Sequence, residues 1–167
     1  MTHPEMTEND ILADALKHLQ RALAGTSPDE QREWAGVLWY GLARLEKALR
    51  LQQEHVQDPL GLGAEIDQTR PTFVRQQEKL RDDYRNLIEQ CIALKWELYR
   101  AAQPFLAEHD RLGKEPPWKD NGEAMPTPDW NVLTRRIQEM LDRIAADREE
   151  ENSMVLESAT VDIGAGD

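Results

Sequence analysis

Apolar residues recur at three- and four-residue intervals in four stretches of the chain, a spacing that predicts four amphipathic helices. The first, over residues 7–24, puts Ile11, Leu12, Ala15, Leu16, Leu19, Ala22 and Leu23 on one face, with Thr7 as N-cap and Gly25 placed for a left-handed terminal residue. The second opens at Ser27-Pro28-Asp29-Glu30, a capping box with proline at the first helical position. It carries Trp34, Val37, Leu38, Gly41, Leu42, Leu45, Ala48, Leu49 and Val56. Asp58-Pro59-Leu60-Gly61-Leu62-Gly63 stops it, and Pro71 opens the third and longest helix. That stripe runs through Phe73, Leu80, Tyr84, Leu87, Ile88, Cys91, Leu94, Leu98, Ala102 and Phe105, with a break or kink expected near Pro104. The fourth helix opens at Thr127-Pro128-Asp129 and presents Trp130, Leu133, Ile137, Met140, Leu141 and Ile144.

No window alternates apolar with polar residues for long, so the expected class is all-α, and the simplest arrangement is an antiparallel up-down-up-down four-helix bundle. Residues 1–6 read as a flexible N-terminus, 7–148 as the bundle and 149–167 as a disordered acidic tail, because Glu149-Glu150-Glu151 follows the last clear apolar repeat and small residues end the chain. Negative charge over 147–151 opposes a helix C-terminus and favours a solvated, fraying end. At 1.5 Å per residue the second helix spans about 45 Å and the first about 27 Å, so the tip between the second and third helices overhangs. Val56, Leu60, Leu62, Ile66, Phe73 and Val74 lie there and need a cover. The candidates are the linker between these two helices itself, the segment Met154-Val155-Leu156, or a second copy of the chain.

Charge narrows the classes of partner. The 167 residues include 20 basic and 32 acidic side chains, for a net charge of −12 and a pI of about 4.8. Such a surface repels nucleic acid and anionic membranes. No apolar run reaches the roughly 18 residues of a spanning helix, and Met1-Thr2-His3-Pro4-Glu5 lacks the layout of a secretory leader, so a cytoplasmic location is expected. The one cysteine, Cys91, falls at the centre of the third stripe and reads as a small buried hydrophobe. At about 100° per residue, the polar groups near inner faces are His18, Gln52, His55, Gln77 and Tyr84, with none on the fourth helix. Glutamine is a poor transition-metal ligand and the histidines are marginal, so no cofactor is expected. Phosphate loops, Ser–His–Asp spacings and Cys-x-x-Cys pairs are missing too, which predicts a protein that is not an enzyme.

The run Leu42-Ala43-Arg44-Leu45-Glu46 through Gln52-Gln53-Glu54-His55, the Asp58-Pro59-Leu60-Gly61 turn and Gln76-Gln77-Glu78-Lys79-Leu80-Arg81-Asp82-Asp83-Tyr84 resemble the middle of a hemerythrin-like domain. The resemblance implies a four-helix bundle, and bundles of that family commonly hold two irons through inward histidines and carboxylates. The His-x-x-x-Glu pattern of the second helix and the Glu-His and His-x-x-x-His patterns of the third are missing. Glu46, Arg50, Gln76, Gln77 and Glu78 stand where they would fall. What the resemblance implies is therefore a member without its metal, with no ligand carried onto any position. The alternative keeps iron, held irregularly by His18 and His55 with nearby carboxylates, for oxygen or redox sensing. Arg50-x4-His55 also fits the loose pattern of helical HEPN-type ribonucleases, but the two residues lie about 140° apart on their helix.

The aromatic residues offer a different function. In an antiparallel bundle Trp34, Trp39, Tyr40, Trp96, Tyr99, Trp118 and Trp130 all belong to one end, and Trp39, Tyr40, Trp96 and Tyr99 stand off the main stripes. Either the 112–126 connection folds over them through Trp118, or they form an exposed patch. The second case predicts a non-catalytic interaction or regulatory module whose docking patch is Trp39, Tyr40, Trp96, Tyr99 and Trp118. Its partner would be another protein or a second copy, not nucleic acid and not membrane.

Overall fold

A computed structural model of the chain describes residues 6–25, 31–66, 68–109 and 129–164. They form α1 (Glu8–Ala24), α2 (Gln31–Gln57), the short α3 (Leu62–Glu65), α4 (Pro71–His109) and α5 (Trp130–Gly164), with no strand among the described residues. The protein is all-α. No helix among the described residues is long and apolar enough to cross a membrane.

Local chemistry explains most of the helix ends. Thr7 accepts from the Asp10 backbone N–H at 3.2 Å while the Asp10 carboxylate accepts from the Thr7 N–H at 3.1 Å, a reciprocal capping box at the expected start of α1. Gly25 does not take the expected left-handed conformation. Its φ is −89°, and its N–H reaches the Arg21 carbonyl at 3.1 Å. Beyond α2, the Asp58 side chain accepts from the Leu60 N–H at 2.8 Å and the Gly61 N–H donates to the Asp58 carbonyl at 3.0 Å. Only glycine fits at 61, since a Cβ there would sit 2.4 Å from the His55 carbonyl oxygen. The start expected for α2 at Ser27 lies outside the described residues.

Three boundaries differ from expectation. The connection expected as a plain turn between α2 and α4 contains α3. α4 passes through Pro104 without ending there. α5 begins at Trp130, one residue beyond its cap, because the Asp129 carboxylate accepts from the Asn131 and Val132 N–H groups at 3.0 and 3.3 Å.

The largest correction is at the C-terminal side: α5 continues to Gly164, where a disordered acidic tail from residue 149 was expected. The reason is the alternate three- and four-residue spacing of its inward positions. Ile137, Met140, Ile144, Asp147, Glu151, Met154 and Ser158 are all buried, so the inward stripe runs on across the acidic stretch.

Cross-helix contacts run in opposite senses along successive long helices. Between α1 and α2, Asp14 pairs with Arg44, and the Trp34 indole N–H donates to the Ala22 carbonyl at 2.9 Å. Gly41 lets α1 approach, since a Cβ there would meet Leu19 Cδ1 at 2.9 Å. Between α2 and α4, the Cys91 thiol donates to the Leu42 carbonyl at 3.2 Å, and the Gln77 amide donates to the Val56 carbonyl at 2.6 Å. Between α4 and α5, Glu97 pairs with Arg136 at 2.7 Å and Lys79 with Glu150 at 2.6 Å. One apolar cluster includes Leu12, Leu38, Leu45, Leu80, Leu94, Leu98 and Ile137. The overhanging tip gains its cover from α5 and α3: Met154 is buried in the same cluster as Val56, Leu62, Ile66 and Phe73, and Val155 packs against it. Leu156 and Leu60 remain 66 % and 87 % exposed.

Candidate functional site

Two places gather side chains beyond what packing alone requires, and they lie toward opposite ends of α2. The first is the seam of α2 and α4 near Trp39. The Trp39 ring stands edge-on to Tyr40 at 5.1 Å between centroids and tilts toward Tyr99 at 6.5 Å. Lys95 Nζ lies 5.5 Å above the same ring while bonding Glu46 at 2.7 Å, and Arg100 lies 5.2 Å over Trp96. Trp39 and Tyr99 are half-buried against the core cluster, Trp96 is half-buried, and Tyr40 is 43 % exposed. Of the five residues expected to form the patch, Trp39, Tyr40 and Tyr99 come together, with Trp96 carried on the same α4 segment. Trp118 lies outside the described residues. Trp34 and Trp130 face each other at 5.4 Å, consistent with their inward assignment.

The second place is a polar cluster in the bundle interior. The Glu151 carboxylate, only 4 % exposed, accepts from the Gln52 amide at 2.8 and 3.0 Å and from the Tyr84 hydroxyl at 3.2 Å. His55 Nε2 stands 3.9 Å away. Burial raises the Glu151 carboxyl above its ordinary range despite the hydrogen bonds from Gln52 and Tyr84, which pull the other way. One turn earlier Asp147 is 1 % exposed, and burial pushes its carboxyl up to about 6 against the attraction of Arg143. Arg143 reaches Asp147 at 3.2 Å and Asp83 at 2.9 Å, while Lys79 lies 3.3 Å from Asp83. Gln52 Oε1 and Asp147 Oδ2 are buried without a hydrogen-bond partner.

Gln52 and Tyr84 occupy the inner positions that helical counting assigns them. Asp147 and Glu151 are the residues it missed, because it left the fourth helix without inward polar groups. His18 and His55 do not meet: His18 is exposed on α1 near the level of Gly41, about 20 Å of helix from His55. Asp14 pairs with Arg44, and Arg50 with Glu46 at 2.8 Å, so neither joins a histidine. Among the described residues no three His, Cys, Asp or Glu side chains converge in a way that would hold a metal ion. An open groove of about 520 Å³ between α2 and α4 is lined by Val56, Val74, Gln77, Arg81 and Arg85, among others, and includes none of the clustered aromatics.

The acid–base content of the interior is thus two elevated carboxyls, Glu151 with an amide, a phenol and an imidazole around it and Asp147 one turn earlier beside Arg143. Such groups can store or release protons. Compared with known protein families, with characterised proteins and with solved structures, the chain matches none.

Proposed function

We propose that this chain is a non-catalytic interaction module, a metal-free bundle of hemerythrin-like layout in which four long helices run up-down-up-down. The opposed contacts of α1 with α2, α2 with α4 and α4 with α5 support that layout. The docking face is the α2–α4 seam, and the observation that carries this reading is the Trp39–Tyr40–Tyr99 cluster with the Tyr40 ring substantially in solvent. Val37, one turn before, and Ile92 on α4 are also exposed, so apolar area continues on both helices. Aromatic rings of this kind supply large contact area with little conformational entropy to lose, and they dominate the energetics of protein interfaces. The proposed location is cytoplasmic, and the partner is a protein or a second copy.

The test is to make Val37→Asp with Tyr40→Asp, two exposed positions whose replacement leaves the core intact. A photo-crosslinking side chain at position 40 is then compared with one at exposed Arg135. Crosslinks at 40 that are lost with Val37→Asp, alongside unchanged helical content, are the expected result; sedimentation separates self-association from a different partner. No crosslink at 40 beyond that at 135, with sedimentation unchanged by the double substitution, would refute the docking face.

A further inference from the structure

At the far end of α2 from the aromatic seam, the second half of α5 is held differently from its first half. From Leu133 to Ile144 its inward positions are apolar; from Asp147 onward they are Asp147, Glu151, Met154 and Ser158. This half packs against α3, and its Met154 is buried in the same core that holds Val56, Leu62, Ile66 and Phe73 at the tip. Two of its four inward positions are carboxyls, and the partners facing them are few. We propose that the second half of α5 is a pH-responsive cover, docked when Glu151 and Asp147 carry protons and loosened from α2, α3 and α4 when both ionise.

The groups around the two acids decide the sense. On α2, Gln52 donates to Glu151 and His55 stands beside it; on α3, Glu65 repels it; on α4, Tyr84 donates to it. Around Asp147, Arg143 attracts at 3.2 Å and Lys79 of α4 also attracts, while Asp83 of α4 and Glu150 of α5 repel. Arg148 adds positive charge near Tyr84. On balance both carboxyls hold their protons more tightly when buried than in the open chain, where 4.5 and 3.8 are ordinary for Glu and Asp. Docking is therefore fully favoured below those ordinary values and weakens as pH climbs through the raised folded ones, the protons passing to solvent. With Asp147 moving from 3.8 to about 6, this acid alone raises the open population about tenfold between pH 5 and 8.

Hydrogen exchange of the full chain, corrected for intrinsic rates, reads this directly. Amides of 149–160 are expected to lose about tenfold or more in protection between pH 5 and 8, while amides around Leu42 and Cys91 hold theirs. Glu151→Gln, which keeps the shape and cannot ionise, is expected to retain more of the protection at the higher pH, and Asp147→Asn to flatten the profile in part. Equal protection of 149–160 in the wild type at both pH values would overturn the proposal whether or not either variant folds. So would loss of protection shared equally by α2 and α4, or a Glu151→Gln profile parallel to that of the wild type.

Discussion

Replacing Gln52 with leucine separates the amide that serves Glu151 from the apolar packing around it. The amide makes the two shortest contacts to the carboxylate, at 2.8 and 3.0 Å, from a side chain with no solvent exposure. A hydrogen bond to a charged group contributes about 1.5–3 kcal/mol, and its loss leaves Glu151 with the Tyr84 hydroxyl alone. Two effects oppose that loss: the partnerless Gln52 Oε1 disappears, and leucine adds apolar burial of about 1 kcal/mol. The expected net cost is about 2 kcal/mol where the carboxyl is ionised, shrinking as pH falls through its raised folded value and it takes a proton. Combining Gln52→Leu with Glu151→Leu and Tyr84→Phe removes the carboxyl together with both of its hydrogen-bond donors, and stability should return to within about 1 kcal/mol of wild type or exceed it. Urea unfolding followed by circular dichroism resolves these differences, since 2 kcal/mol moves the midpoint by roughly 1 M. A Gln52→Leu cost under about 0.5 kcal/mol where the carboxyl is ionised, or one that does not change with pH, would refute the assignment of Gln52 as the main support of a buried charge.

Two further outcomes follow from burial. Burial, reinforced by the Glu46 charge, pushes the Cys91 thiol up to about 12, so the folded protein should not react with an aromatic disulfide reagent at about pH 8 and should react once urea unfolds it; rapid labelling of the folded state would contradict the packing of α4 on α2. Deleting residues 149–167 removes Met154 and uncovers Leu62 and Phe73, which should cost at least about 3 kcal/mol and lower the melting temperature by several degrees. A deletion that melts like the full chain would mean the second half of α5 contributes no packing.

What the sequence could disclose depended on how each position is held. The apolar stripes of α1, α2 and α4 were legible because burial of Leu, Ile and aromatic side chains at helical spacing has few alternatives. Thr7 announced its cap for a similar reason: the helix start leaves donors that only such a side chain satisfies locally. Gln52 and Tyr84 were found by counting angles along stripes already established. Asp147 and Glu151 escaped because acidic residues are rarely buried, so a charged run at the end of a repeat reads as solvent-facing. The signal was nonetheless present. Ile137, Met140, Ile144, Asp147, Glu151, Met154 and Ser158 keep alternate spacings of three and four, and Met154 re-enters the apolar set beyond the two acids. Following the spacing instead of the residue type would have carried α5 past Arg148. The aromatic seam was legible only in part, since Trp39 and Tyr99 pack on the core while Tyr40 does not.

The two gathered sites place opposite demands on the molecule. At the aromatic end, Trp34 against Trp130 and the Lys95–Glu46 pair fix the helices around Trp39, so Tyr40 is offered from a rigid support. At the other end, α5 trades apolar area for two carboxyls whose desolvation is only partly offset by Gln52, Tyr84 and Arg143. Stability should therefore fall along α5 from Trp130 toward Gly164, with Ile144 the last inward aliphatic before the acids begin. A helix held this way opens from its C-terminal side first, and its opening exposes the tip without disturbing the seam of α2 and α4. If the seam is the docking face proposed above, that separation would leave it preorganised at any pH at which the far end of the molecule opens.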